Sequence, residues 1–99
     1  MKVQMQSVRF DADKKLLDYI QKRVDKLDRI YERITDGEVI MRVEKNDQSM
    51  NKSSEFKINI PGEQLFVKEK SSTFEAATDV AIDTLIRQFK KYKNKKFGR

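Results

Sequence analysis

The 99-residue sequence predicts a two-layer α+β sandwich, with two helices packed on one face of a four-stranded sheet in the order β-α-β-β-β-α. Three observations predict it. Four short segments alternate apolar and polar residues. Two longer segments repeat apolar residues at helical spacing. Capping residues precede both helical segments, and Pro61-Gly62 separates two of the alternating ones.

Lys2–Ser7 is the first strand, with Val3 and Met5 on one face and Gln4 and Gln6 on the other. Phe10-Asp11-Ala12-Asp13 then supplies aspartate caps. From about Asp13 to Arg33 a helix is expected, because Leu16, Ile20, Val24, Leu27, Tyr31 and Ile34 form one apolar stripe; Asp36-Gly37 is read as its stop. Glu38–Lys45 alternates through Val39, Met41 and Val43, and Asn46–Asn51 reads as a polar loop. Ser54–Ile60 and Gln64–Lys70 form a hairpin about Pro61-Gly62. Ser72-Thr73-Phe74-Glu75 fits a capping box, with Ser72 as cap and Glu75 reaching back. The last helix is expected to reach about Lys93, burying Phe74, Ala77, Ala81, Leu85, Phe89 and Tyr92. Strands one and two should be parallel, joined by a right-handed crossover.

The length fits one domain, residues 1–99, with the basic end from about 94 to 99 expected to fray. There is no Cys, which excludes disulfides and thiolate metal sites and fits a reducing, cytoplasmic compartment. There is no His, the commonest general base and zinc ligand. No Gly-rich phosphate loop, nucleophile set or metal-ligand cluster is present. Asp36 and Glu38 are spaced like paired carboxylates but have no partner base. No catalytic site, cofactor or metal is therefore expected, nor any membrane-spanning or signal segment.

The 22 basic and 16 acidic residues leave a net charge of +6, and their arrangement says more than their sum. From Arg87 to Arg99, seven of the thirteen residues are Lys or Arg, none is acidic, and Phe89 and Tyr92 continue an apolar stripe. A solvated tail would not need that stripe; a helix with one face in a core and cations on the other would. On the first helix, Lys15, Lys22, Lys26, Arg29 and Arg33 share one lane beside a lane of Asp18, Asp25 and Glu32. Two readings stay open. The charges form local pairs, Asp18 with Lys22 and Asp25 with Arg29, or the cations form a strip for phosphate. On the last helix, acids early and bases late complement the helix dipole. That accounts for two or three cations, not for Lys93, Lys95, Lys96 and Arg99 as well. Tyr19 is expected to be half-buried, and Phe66 to lie on the outer face of the sheet.

The chain resembles the short ribosome hibernation-promoting factors, also called the ribosome-associated inhibitor or sigma-54 modulation family. The residues that carry the resemblance are Lys26-Leu27, Ile34-Thr35-Asp36, Val43-Glu44-Lys45, Ile60-Pro61-Gly62, Ala76-Ala77-Thr78-Asp79, Asp83-Thr84-Leu85-Ile86-Arg87-Gln88 and Lys90-Lys91-Tyr92-Lys93, in this order along nearly the whole chain. The resemblance implies a fold like that of double-stranded-RNA-binding domains. It also implies a partner, the small ribosomal subunit and its rRNA, bound in the decoding channel so that mRNA and tRNA are excluded and translation stops in idle cells. By position it implies rRNA contacts at Arg23, Lys26, Lys45, Arg87, Lys91, Lys93 and Lys95; the helical lanes add Lys22, Arg29 and Lys90. Ser7-Val8-Arg9 stands where the family often has a Gly after the first strand. The chain lacks the extra domain by which long members pair ribosomes, so ribosome dimerisation would need a second factor, and the free protein is expected to be monomeric. Two other readings are a general double-stranded-RNA binder and a module for an acidic protein partner. The first is disfavoured because such domains place their lysines at the start of the last helix; here Glu75 and Asp79 stand there.

Overall fold

The computed structural model describes residues 1–44 and 49–97, with side chains through Lys93. Its elements are β1 (Lys2–Val8), α1 (Lys14–Ile30), β2 (Asp36–Val43), β3 (Lys52–Ile60), β4 (Glu63–Ser71) and α2 (Phe74–Phe97). This is the predicted β-α-β-β-β-α order. The strands lie side by side in sequence order as one sheet. β1 pairs with β2 in parallel, Met5 opposite Val39. The other two pairings are antiparallel, Val39 opposite Phe56 and Phe56 opposite Val67.

One face of the sheet is apolar. Val39, Met41, Phe56, Ile58, Leu65 and Val67 point into a core completed by Leu16, Ile20, Val24 and Leu27 of α1 and by Phe74, Ala81, Ile82, Leu85 and Phe89 of α2. Thr78 and Ile82, which the expected stripe omitted, are also buried, so the inward face of α2 is broader than one row. Phe66 points the other way and is half exposed, as expected.

The strand directions fix those of the helices. β4 runs the same way as β1, and each helix returns across the sheet after one of them. α1 and α2 therefore lie parallel. Tyr19 touches Asp79 near their starts, and Lys93 reaches Ile30 near the end of α1.

Three local expectations need correction. α1 ends at Ile30, not near Arg33, and Asp36-Gly37 is not its stop. Tyr31 turns to extended geometry while its N–H still donates to the Leu27 carbonyl. That turn stacks the Tyr31 ring on Phe89, 5.3 Å between centroids, and sets it edge-on to Tyr92. Tyr31 is thus buried, as its place in the stripe implied, but outside the helix. Gly37 lies within β2 opposite Ile58, where a Cβ would stand 3.0 Å from the Ile58 Cδ1. Its role is close packing, not helix termination.

The cap of α2 is Thr73, one residue later than expected. Its Oγ1 accepts from the Ala76 N–H at 3.0 Å. Ala76 then occupies the position of a capping-box glutamate, so no reciprocal bond to Glu75 forms. Starting at Phe74 places that ring in the core, stacked on Phe10 at 4.5 Å. α2 also runs on to Phe97. At α1 the expected cap holds: Asp13 accepts from the Leu16 N–H at 2.9 Å. The Pro61-Gly62 turn holds as well, with Ile60 opposite Glu63 and Gly62 at φ 81°. After β1, Arg9 takes a left-handed φ of 69°. The backbone there keeps a conformation that glycine adopts without steric cost.

Candidate nucleic-acid interface

Each helix keeps one face in the core, so its charged residues are turned away from the sheet. The parallel packing then sets the C-terminal halves of α1 and α2 side by side. Lys26 and Arg29 come from one half, Arg87, Lys90 and Lys91 from the other, with Lys22 one turn earlier on α1. All six are exposed, and none has an ion-pair partner among the described residues.

The two acids expected to pair with them, Asp18 and Asp25, are engaged elsewhere, and so is Asp28. Asp18 pairs with Lys14 at 2.8 Å, not with Lys22. Asp25 accepts from Gln21 at 2.8 Å, not from Arg29. Asp28 pairs with the amino group of Met1. Asp18 and Asp25 have thus each turned to a partner four residues toward the N-terminus on their own helix. The strip of α1 is left positive. Arg87 makes only a neutral bond, its Nη2 donating to the Thr84 Oγ1 at 3.2 Å.

Two of the expected contact residues are already held within the protein. Arg23 lies in the groove between the helices, its Nε 3.1 Å from the Asp79 Oδ1. Its Nη2 donates to the Tyr19 hydroxyl oxygen at 3.0 Å, and its Cζ sits 5.0 Å from the centre of that ring. The Tyr19 hydroxyl donates in turn to the Asp79 carboxylate, whose oxygens lie 2.8 and 2.9 Å away. The Tyr19 oxygen, then Asp79 and Asp83, hold the guanidinium more firmly charged than usual, against a partial loss of solvent. Lys93 is engaged differently. Its ammonium donates to the Ile30 carbonyl at 3.0 Å and caps the C-terminus of α1. Lys45 lies outside the described residues, and so does the side chain of Lys95.

Sequence reasoning missed the Tyr19–Asp79–Arg23 link. Its members stand up to 60 positions apart, and no local period signals such a pairing. Below it lies a cleft of about 240 Å³ lined by Arg23, Lys26, Asp79, Ile82, Asp83 and Ile86. A larger cleft of about 580 Å³ lies between β4 and α2, bounded by Leu65, Phe66, Gln88 and Tyr92. Lys91 is the one cation lining it among the described residues.

No group of three His, Cys, Asp or Glu among the described residues could hold a metal ion. No helix among them is long and apolar enough to cross a membrane. What the arrangement can do is bind anions. Cations from two rigid elements face outward without ion-pair partners among the described residues, and acids stand beside only part of them, Asp79 and Asp83 sharing a cleft with Lys26. This is the pattern of a phosphate-backbone contact surface.

The family described as sigma 54 modulation protein / S30EA ribosomal protein matches residues 3–96. A ribosome hibernation promoting factor of Azotobacter vinelandii is 31% identical over 99 residues, covering 100% of this chain and 89% of that protein. A factor of the same description from Pseudomonas putida is 30% identical over 95 residues. A ribosome hibernation promotion factor of Deinococcus radiodurans is 32% identical over 80 residues, and the match spans 41% of that longer protein. Two solved structures share the fold. A ribosomal subunit interface protein from Coxiella burnetii aligns with a TM-score of 0.83 at 19% identity, over 94% of this chain and 98% of that one. The N-terminal domain of Protein Y from Thermus thermophilus aligns with a TM-score of 0.78 at 24% identity, over 93% and 99%.

Proposed function

Since the chain belongs to the sigma 54 modulation and S30EA ribosomal protein family, we propose that it is a ribosome hibernation factor acting on the small ribosomal subunit. It docks in the decoding channel with its helical layer against rRNA. Lys22, Lys26, Arg29, Arg87, Lys90 and Lys91 contact phosphates there, joined by Lys45 and Lys95. The observation that carries this reading is the convergence of unpaired cations from two parallel helices onto one end of the domain, while Asp18, Asp25 and Asp28 of α1 are engaged with other partners.

The mechanism is occupancy. A folded positive body in a channel lined with phosphate excludes mRNA and tRNA by volume and charge, with no chemistry required. The free protein is a monomer in the cytoplasm.

Sucrose-gradient sedimentation of cell extract, probed for this protein, tests the proposal. Co-migration with small subunits or whole ribosomes is expected, most of it in non-growing cells. A wholly free pool in both growth states contradicts it. Added to a translating extract, the protein should lower synthesis in proportion to occupancy. Activity should return when raised salt strips it off. Cleaved rRNA after stripping would mean that the protein acts as an enzyme.

A further inference from the structure

Arg23 reaches from α1 toward α2, yet its charge is already matched there. Its Nε meets the Asp79 carboxylate at 3.1 Å, and both carboxylate oxygens are also bound by the Tyr19 hydroxyl. Asp83 follows one turn later and lines the same cleft. A phosphate entering here would approach two carboxylates before it could take Arg23 from one of them. The Arg23–Asp79 pair is about one third to one half exposed, and the Tyr19 hydroxyl and ring hold Arg23 beside the carboxylate.

We infer that Asp79 withholds Arg23 from phosphate, so that the groove between the helices repels the polyanion while the cations on its rims attract it. The inference rests on the phosphate-contact reading for its consequence in the cell, but the geometry that carries it is independent of the ribosome. Asp79 is a positioning residue in this account. It confines phosphate to the outer lanes of Lys26 and Arg29 on one side and Arg87 and Lys91 on the other. It also joins the two helices through Tyr19, which keeps those lanes at a fixed separation.

Asp79→Asn removes the charge and keeps the shape and an acceptor for Tyr19. Two readouts separate the inference from a merely structural role. The first is the Arg23 Nε–H signal in a nuclear magnetic resonance titration with inorganic phosphate. It should stay in place in the wild-type protein and move in Asp79→Asn. Equal movement in both proteins overturns the inference, and so does movement in neither. Tyr19→Phe loosens the same link without touching the carboxylate; it should give a smaller shift in the same direction, and serves if Asp79→Asn does not fold. The second readout is the salt dependence of binding to small subunits. Asp79→Asn should steepen the slope of log affinity against log salt by about 0.7 to 0.9, the share of one added phosphate contact. It should tighten binding about 2- to 5-fold at low salt, the range of one exposed ion pair. Adding Arg23→Gln to that variant should remove the gain. Weaker binding by a folded Asp79→Asn protein overturns the inference. Binding that ignores salt in every variant would instead refute the phosphate-contact reading, and the phosphate titration would still decide the role of Asp79.

Discussion

The two layers of the molecule share one core and divide the charge differently. α1 carries six Lys or Arg against three Asp, and α2 carries six against three acids. The four strands together carry six against five. The strand charges also answer one another. Glu38 lies opposite Lys57 and Glu55 opposite Lys68 across the ladder, an arrangement that stabilises a sheet. Lys68 stands 3.7 Å from both Glu44 and Glu55. On the helices Lys22, Lys26, Arg29, Arg87, Lys90 and Lys91 have no ion-pair partner among the described residues, and they gather where two parallel elements end. The lesson is that net charge alone says little about partners; where charge is left unmatched on a rigid surface says more.

Four perturbations separate the helical layer from the sheet. The largest effect should come from the core that the layers share. Phe89 is fully buried and stacks on Tyr31, so Phe89→Ala should cost about 3–5 kcal/mol of stability, read as a large fall in denaturation midpoint. A near-normal midpoint would mean that α2 is not seated as described. Next, Lys26→Glu with Lys91→Glu should weaken binding to small subunits on the order of 100-fold at an unchanged melting temperature. Lys57→Glu with Lys70→Glu, on the sheet, should change it far less. Similar losses from both pairs would erase the distinction between the layers. Third, Lys93→Met removes the bond to the Ile30 carbonyl and should cost about 0.5–1.5 kcal/mol of stability, with a smaller loss of affinity than Lys91→Met. The reverse order would make Lys93 a contact residue and its cap incidental.

The smallest effect concerns the sheet and pH. The Ser53 hydroxyl donates to Glu44 at 3.0 Å. That bond, with help from Lys68, Lys70 and Arg42, holds the Glu44 carboxyl below the usual carboxylate range despite some loss of solvent. A carboxyl whose folded value is depressed contributes stability that is present above its unfolded value, about 4.3, and fades as pH falls through the folded one. The melting temperature should therefore decline on acidification below about pH 4, and Ser53→Ala should flatten the part owed to Glu44. An unchanged Glu44 titration in Ser53→Ala would show that the hydroxyl is not the cause.

The element order was legible because it rests on local patterns: alternation in four strands, an apolar stripe in two helices, and Pro61-Gly62 at a two-residue turn. The misses share a non-local cause. Nothing near Tyr31 says that its ring will find Phe89 and leave the helix to do so. Nothing near Gly37 says that Ile58 will press against it. The choice of Thr73 over Ser72 as cap follows from where Phe74 must sit against Phe10. For the interface, exposure of the cations was legible from the lanes, but their pairing was not. Asp18 and Asp25 were read toward the C-terminus and turned the other way, and Arg23 found Asp79 on another helix.

The salt dependence of affinity for purified small subunits reads the phosphate contacts themselves. If about six cations of the helical layer contact phosphate, log affinity should fall against log salt with a slope of about −4 to −5, and Lys26→Glu with Lys91→Glu should make that slope shallower by about 2. A slope near zero in the wild-type protein would contradict the account, since the helical cations would then be a solvated surface and not the means of binding.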